Sequence, residues 1–113
     1  MKPPIIADNR GDLCVFDTVR WAESYMDPVD VRNGEYVVFD SEGLLLTPRV
    51  EDKDRRERIV LKPEETIPTH ANDLRTKLLY FLSRTKFGSP GMEELTLAQL
   101  IVLMPRTGRP PRD

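Results

Sequence analysis

His70 is the single histidine of this chain and Cys14 its single cysteine, so acid–base, nucleophilic and metal chemistry rest on very few side chains. A proton shuttle or metal ligand at His70 needs partners. Its sequence neighbours Asn72 and Asp73 offer one carboxylate, and one imidazole with one carboxylate is a poor zinc site. His70 therefore reads as a surface histidine at a helix start. Cys14 lies between Leu13 and Val15 in a strand-like run. A reactive thiolate wants an electropositive, partly exposed setting. Alternation puts Cys14 on a face with Asp12 and Phe16, so it reads as a buried structural thiol.

The densest carboxylates are Asp27, Asp30, Glu35, Asp40 and Glu42. Two carboxylates converging in a cleft can hydrolyse a glycoside or hold a divalent cation. These lie at turns and strand ends with no DxDxDG-type loop, so solvated turns come first. Beyond that, a contact surface for a basic partner is preferred to catalysis. Trp21, Tyr25 and Tyr36 are the aromatic side chains best able to anchor an interface, although core packing is the default for such residues. Gly88 and Gly91 flank Ser-Pro without the lysine of a phosphate loop. There is no GxSxG elbow. No cofactor or metal is implied. The candidate partner-binding residues are Trp21, Tyr25, Asp27, Asp30, Glu35, Asp40 and Glu42.

The elements that must hold these residues are legible from turn and cap signals. An apolar run before Ala7, a turn at Asp8-Asn9-Arg10-Gly11 and a strand over 12–16 suggest a hairpin. Asp17 is placed to cap a helix over 18–26, with Val19, Ala22 and Met26 on one face. Pro28 stops it. Val29 and Val31 then alternate with Asp30 and Arg32, and Asn33-Gly34 is a strong hairpin signal. Strands over 36–40 and 44–50 follow, a charged segment EDKDRRER, and a strand over 58–62. Connections this short require antiparallel pairing. Thr69 is placed to cap a helix over 71–86, whose Leu74, Leu78, Phe81 and Leu82 form an apolar stripe. Thr96 and Gln99 form a capping box for an apolar helix from Leu97 to Met104. That helix is either buried or a docking or homo-oligomer surface.

The expected fold is α+β: an antiparallel twisted sheet of five or six strands, with two or three helices packed on one face. Residues 1–104 form one domain, and 105–113 read as a disordered basic tail. The chain has 113 residues, 39% hydrophobic and 32% charged. Its net charge of −2 hides an asymmetry. Residues 1–50 hold five Lys/Arg and nine Asp/Glu; residues 51–113 hold twelve and ten. The bases of EDKDRRER alternate with acids, which argues for mutual cancellation, and the tail has arginines but no aromatic for base stacking. A lone cysteine excludes an internal disulfide. No signal peptide or spanning segment is legible, so a cytoplasmic location is expected.

The stretch DTVRWAESYMDPVDVRNGEYVVFDSEG resembles small bacterial immunity-type proteins of polymorphic or contact-dependent toxin systems. The shared pattern is an aliphatic hairpin, a short helix ending in an acidic residue and proline, then DV-x-NGEY-x-x-x-D-x-x-G. It covers residues 12–46. The resemblance implies a cytosolic, non-catalytic inhibitor that occludes a toxin. An acidic face would complement the basic surface of a nuclease toxin. The alternative class is a small regulatory or nucleic-acid-associated protein using its C-terminal bases. A third is an enzyme assembled only in an oligomer.

Overall fold

The computed structural model describes residues 1–108. Five strands form one antiparallel sheet: β1 (Ile5–Asn9), β2 (Asp12–Phe16), β3 (Tyr36–Phe39), β4 (Leu45–Lys53) and β5 (Arg56–Pro63). Their order across the sheet is β2-β1-β3-β4-β5. The helices are α1 (Val19–Tyr25), α2 (Pro28–Arg32), α3 (Ala71–Ser83) and α4 (Leu97–Leu103), with a 3-10 turn at Met92–Glu94 before the last. The α+β class and the five-stranded antiparallel sheet match the sequence reading. No helix among the described residues is long and apolar enough to cross a membrane.

The helices occupy both faces of the sheet, where one had been expected. Ile5, Ile6 and Ala7 are buried one after another, at 0%, 0% and 1% exposure. Successive strand residues point to opposite faces, so such a run needs cover on both. Ile6, Leu13, Val15 and Phe39 pack with Leu74, Leu78 and Leu82 of α3 and with Leu100 and Ile101 of α4. Ile5, Phe16, Val38, Leu46, Ile59 and Leu61 pack on the other side with Ala22 of α1 and Met26. Leu74, Leu78 and Leu82 are essentially fully buried, and each contributes about 1.5–3 kcal/mol. The capping box of α4 forms as read, with the Gln99 N–H donating to Thr96 Oγ1 at 3.2 Å and the Thr96 N–H to Gln99 Oε1 at 2.9 Å.

Several local readings change. Thr18, not Asp17, caps α1, accepting from the Trp21 N–H at 3.0 Å. Asp17 instead accepts from Arg106 Nε at 2.7 Å. Residues 28–32 are helical and not a strand. Asp27 accepts from the Val29 N–H at 2.8 Å, and Pro28 stands in the first helical turn, where its missing N–H costs nothing. Asn33 and Gly34 then end that helix, with no hairpin. Gly34, at φ +68°, takes the left-handed conformation typical of a helix terminus. Residues 105–108, assigned to a disordered tail from sequence, are held against β2. The Thr107 N–H donates to the Val15 carbonyl at 2.8 Å, and the Val15 N–H to Thr107 Oγ1 at 3.1 Å. The rest of that tail lies outside the described residues.

Glu65 clips the linker to both neighbours. Its carboxylate accepts from the Thr69 N–H at 3.0 Å, the Leu45 N–H at 3.1 Å and the Thr69 hydroxyl, and it pairs with His70 Nδ1 at 3.0 Å. The Thr69 hydroxyl and amide, with His70 and Leu45 adding, hold its pKa down from 4.5 to about 2. A carboxyl whose pKa is lower in the fold stabilises it fully above its ordinary range, and that contribution disappears as pH falls through the folded value. Thermal melts should therefore show wild type losing more stability than Glu65→Gln between pH 4.5 and about 2. Parallel pH profiles would refute the clip.

Candidate protein-binding surface

At the α1–α2 face, near the β1–β2 turn, the chain gathers like-charged and aromatic groups. Tyr25 closes α1 and is 46% exposed. Its ring packs on Phe16 at 5.1 Å and on Trp21 at 5.9 Å between centroids. The phenol reaches Cys14: that thiol, burial and Asp12 all push the Tyr25 pKa up. Tyr36 begins β3 next to them. Burial first, then Asp30, Tyr25, Cys14 and Glu35, raises its pKa as well. Glu35 is raised chiefly by a hydrogen bond with Asp30, opposed by Arg10. The Arg10 guanidinium lies 2.8 Å from Glu35 Oε1. Asp12 and Tyr25 thus stand at the thiol, Asp30 and Glu35 stand at Tyr36, and the ionised forms of Tyr25, Tyr36 and Glu35 are disfavoured by their neighbours.

Three of the seven residues picked from sequence meet here: Tyr25, Asp30 and Glu35. Trp21 stands behind Tyr25. Its indole N–H donates to the Thr107 carbonyl, and Gly108 lies so close that an added Cβ would sit 2.5 Å from Cζ2 of the ring. It therefore supports Tyr25 from behind and is partly covered. Asp27 caps α2, which commits one of its oxygens. Asp40 is 2% exposed and makes no surface at all. It accepts from the Lys2 N–H at 3.0 Å and from the Glu42 and Leu44 N–H groups at 2.9 Å each. Glu42 pairs with Lys2 at 3.1 Å. Asp40 follows the far end of β3, about 13 Å from Tyr36 at strand rise, and Glu42 lies in the turn beyond it. The acidic residues do not form one face.

Asp12, Cys14 and Tyr36 complete the cluster. Sequence alternation had already put Asp12 and Cys14 on one face. The missing signal was register: Ala7 pairs with Cys14 on one side and with Val38 on the other, so a small residue separates β2 from β3 there. Cys14 is half-buried, where full burial was expected. Burial raises its pKa, against hydrogen bonds from Thr107 and Tyr25. A thiol held protonated in acidic company is a poor nucleophile.

Elsewhere, His70 finds Glu65 and not the Asn72 or Asp73 of the sequence reading. An imidazole oriented by a carboxylate suits a general base. Here the carboxylate is already taken up by Leu45 and Thr69 in holding the linker. The groove between α1 and β5, about 470 Å³, is lined by residues that include Arg20, Glu23, Ser24, Met26, Glu57 and Arg58. Ser24 donates its hydroxyl to the Arg20 carbonyl at 2.8 Å, as a helix side chain commonly does. Among the described residues no group of three or more His, Cys, Asp or Glu is arranged to hold a metal ion. No protein-family model, curated protein or solved structure matches this chain.

Proposed function

We propose that this protein is a non-catalytic binding module of the cytoplasm, an immunity-type inhibitor that covers a basic site on a partner toxin. The observation that carries this reading is the crowding of Asp12, Asp30 and Glu35 around Tyr25 and Tyr36, with Arg10 paired to Glu35. Like charges held together raise the free energy of the unbound protein, and a cationic partner relieves it. Tyr25, half out of its socket and braced by Phe16 and Trp21, is shaped as a preformed aromatic anchor.

The test is capture from a lysate of the source cells with wild type, Tyr25→Ala and Asp30→Lys as baits. One stoichiometric basic protein should be retained by wild type and lost by both variants. With that protein purified, Tyr25→Ala should weaken affinity by roughly 30-fold, the scale of a hot-spot tyrosine. Inhibition of the partner's activity should fall in step. A partner held equally by all three baits would place recognition elsewhere and end this reading.

A further inference from the structure

The segment EDKDRRER cancels its own charge along the sequence, but the fold separates it by sign. In the β4–β5 ribbon, Arg49 pairs with Val60, Glu51 with Arg58, Lys53 with Arg56 and Thr47 with Lys62. Cross-strand partners in an antiparallel ladder share a face. These four pairs therefore place Arg49, Lys53, Arg56, Arg58 and Lys62 together, with Glu51 the one carboxylate among them. The opposite face carries Asp52 paired with Glu57, then Val50 with Ile59, which joins the α1-side core. Glu57 is further neutralised there by Arg32 of α2. One side of the ribbon thus has five cations against one acid, and the other has acids and no base.

The basic side is open. All five cations are exposed, as is every residue of 51–58. Among the described residues none of the five is in an ion pair. No residue of β5 joins the α3–α4 core, and of β4 Leu45 alone packs against it. The basic side of the ribbon therefore extends past α3 and α4, while α1 and α2 cover its other side. Protection of an exposed sheet edge explains charge on β5. It does not explain why the sign of the charge follows the face on both strands.

We infer that this face binds the phosphate backbone of double-stranded nucleic acid, the ribbon lying along a groove. The major groove, roughly 12 Å wide, admits a two-stranded β-ribbon. Bases on alternate positions of both strands reach phosphates on either side, whereas the face offers no aromatic on which unpaired bases would stack. Contacts of this kind hold the backbone without reading sequence. The inference is independent of the acidic α1–α2 face, which looks the other way through the sheet.

Fluorescence anisotropy with a labelled DNA duplex two helical turns long tests it, using the full chain. Five neutralised phosphates give a slope of about −4.5 for log affinity against log salt. Arg49→Glu with Arg58→Glu should weaken binding roughly 100-fold at low salt and flatten the slope to about −2.7. Glu51→Gln, which removes the one acid on the face, should tighten binding. A misfolded variant cannot mimic that gain. No anisotropy change at low salt overturns the proposal, and so does tighter binding to the single strand. Poly-glutamate competing through the same arginines as strongly as the duplex also overturns it, and would assign the face to acidic polypeptides.

Discussion

Asp40→Ala should cost about 3–4 kcal/mol, since three N–H groups lose a charged acceptor at once and such bonds are individually worth ~1.5–3 kcal/mol without adding fully. The three are those of Lys2, Glu42 and Leu44, so the carboxylate joins the chain before β1 to the β3–β4 turn. At 2% exposure little water can replace it. A domain of this size holds roughly 5–15 kcal/mol in all. The melting temperature should drop by roughly 10–20 °C. Asp40→Asn keeps one carbonyl oxygen and should fall between. Glu42→Ala, which breaks only the exposed Lys2 pair, should cost under about 1 kcal/mol. Urea and thermal denaturation of the three variants checks the order. Equal losses at 40 and 42 would show that the buried carboxylate holds nothing.

Gly43→Ala should be as damaging for a different reason. A Cβ there would sit 2.4 Å from Ala71 Cα and 2.5 Å from Ala71 N, both backbone atoms at the start of α3. No side-chain rotation relieves that contact, so α3 must shift off the sheet. The His70 N–H, which donates to the Gly43 carbonyl at 3.1 Å, would be pulled away with it. The conformation adds its own penalty: φ is +85°, where a side chain costs ~1–2 kcal/mol. The total should reach about 3 kcal/mol or more, as overpacking and strain combine. Gly34→Ala separates the two terms. Its φ is +68° and nothing lies within 4 Å of the added carbon, so only the strain of ~1 kcal/mol remains. Denaturant melts that rank Gly34→Ala at or above Gly43→Ala would refute the close approach.

These two positions show where sequence reading stops. Asp40 looked like one more turn carboxylate because its distant partner, Lys2, is brought to it by the pairing of β1 with β3. Pro28 was read as a stop, which it is for α1. The same residue opens α2, because Asp27 before it can cap and proline tolerates the first turn. Asn33-Gly34 fits a hairpin and a helix end equally well, since both ask for a left-handed glycine. The Thr96 box was legible because both partners lie within four residues. The unbroken apolar run Ile5-Ile6-Ala7 was the available sign that the sheet is covered on both sides. In the candidate surface, Tyr25, Asp30 and Glu35 come together because they are close in sequence, on α1, on α2 and just after it. Their company with Asp12, Cys14 and Tyr36 depends on strand register. The sign separation in β4–β5 depends on register in the same way: two-residue alternation was visible, but not which positions oppose one another.

The two cores differ in when a growing chain can complete them. The α1-side core draws all its buried residues from Ile5 to Leu61. The α3-side core takes Ile6, Leu13, Val15 and Phe39 from the same strands but closes only with Leu74 through Met104. A nascent chain that has reached residue 61 therefore owns one finished side and one bare apolar side. Between those two moments of synthesis the sheet is at its most exposed to unwanted contacts, and the C-terminal third of the chain acts as its late cover.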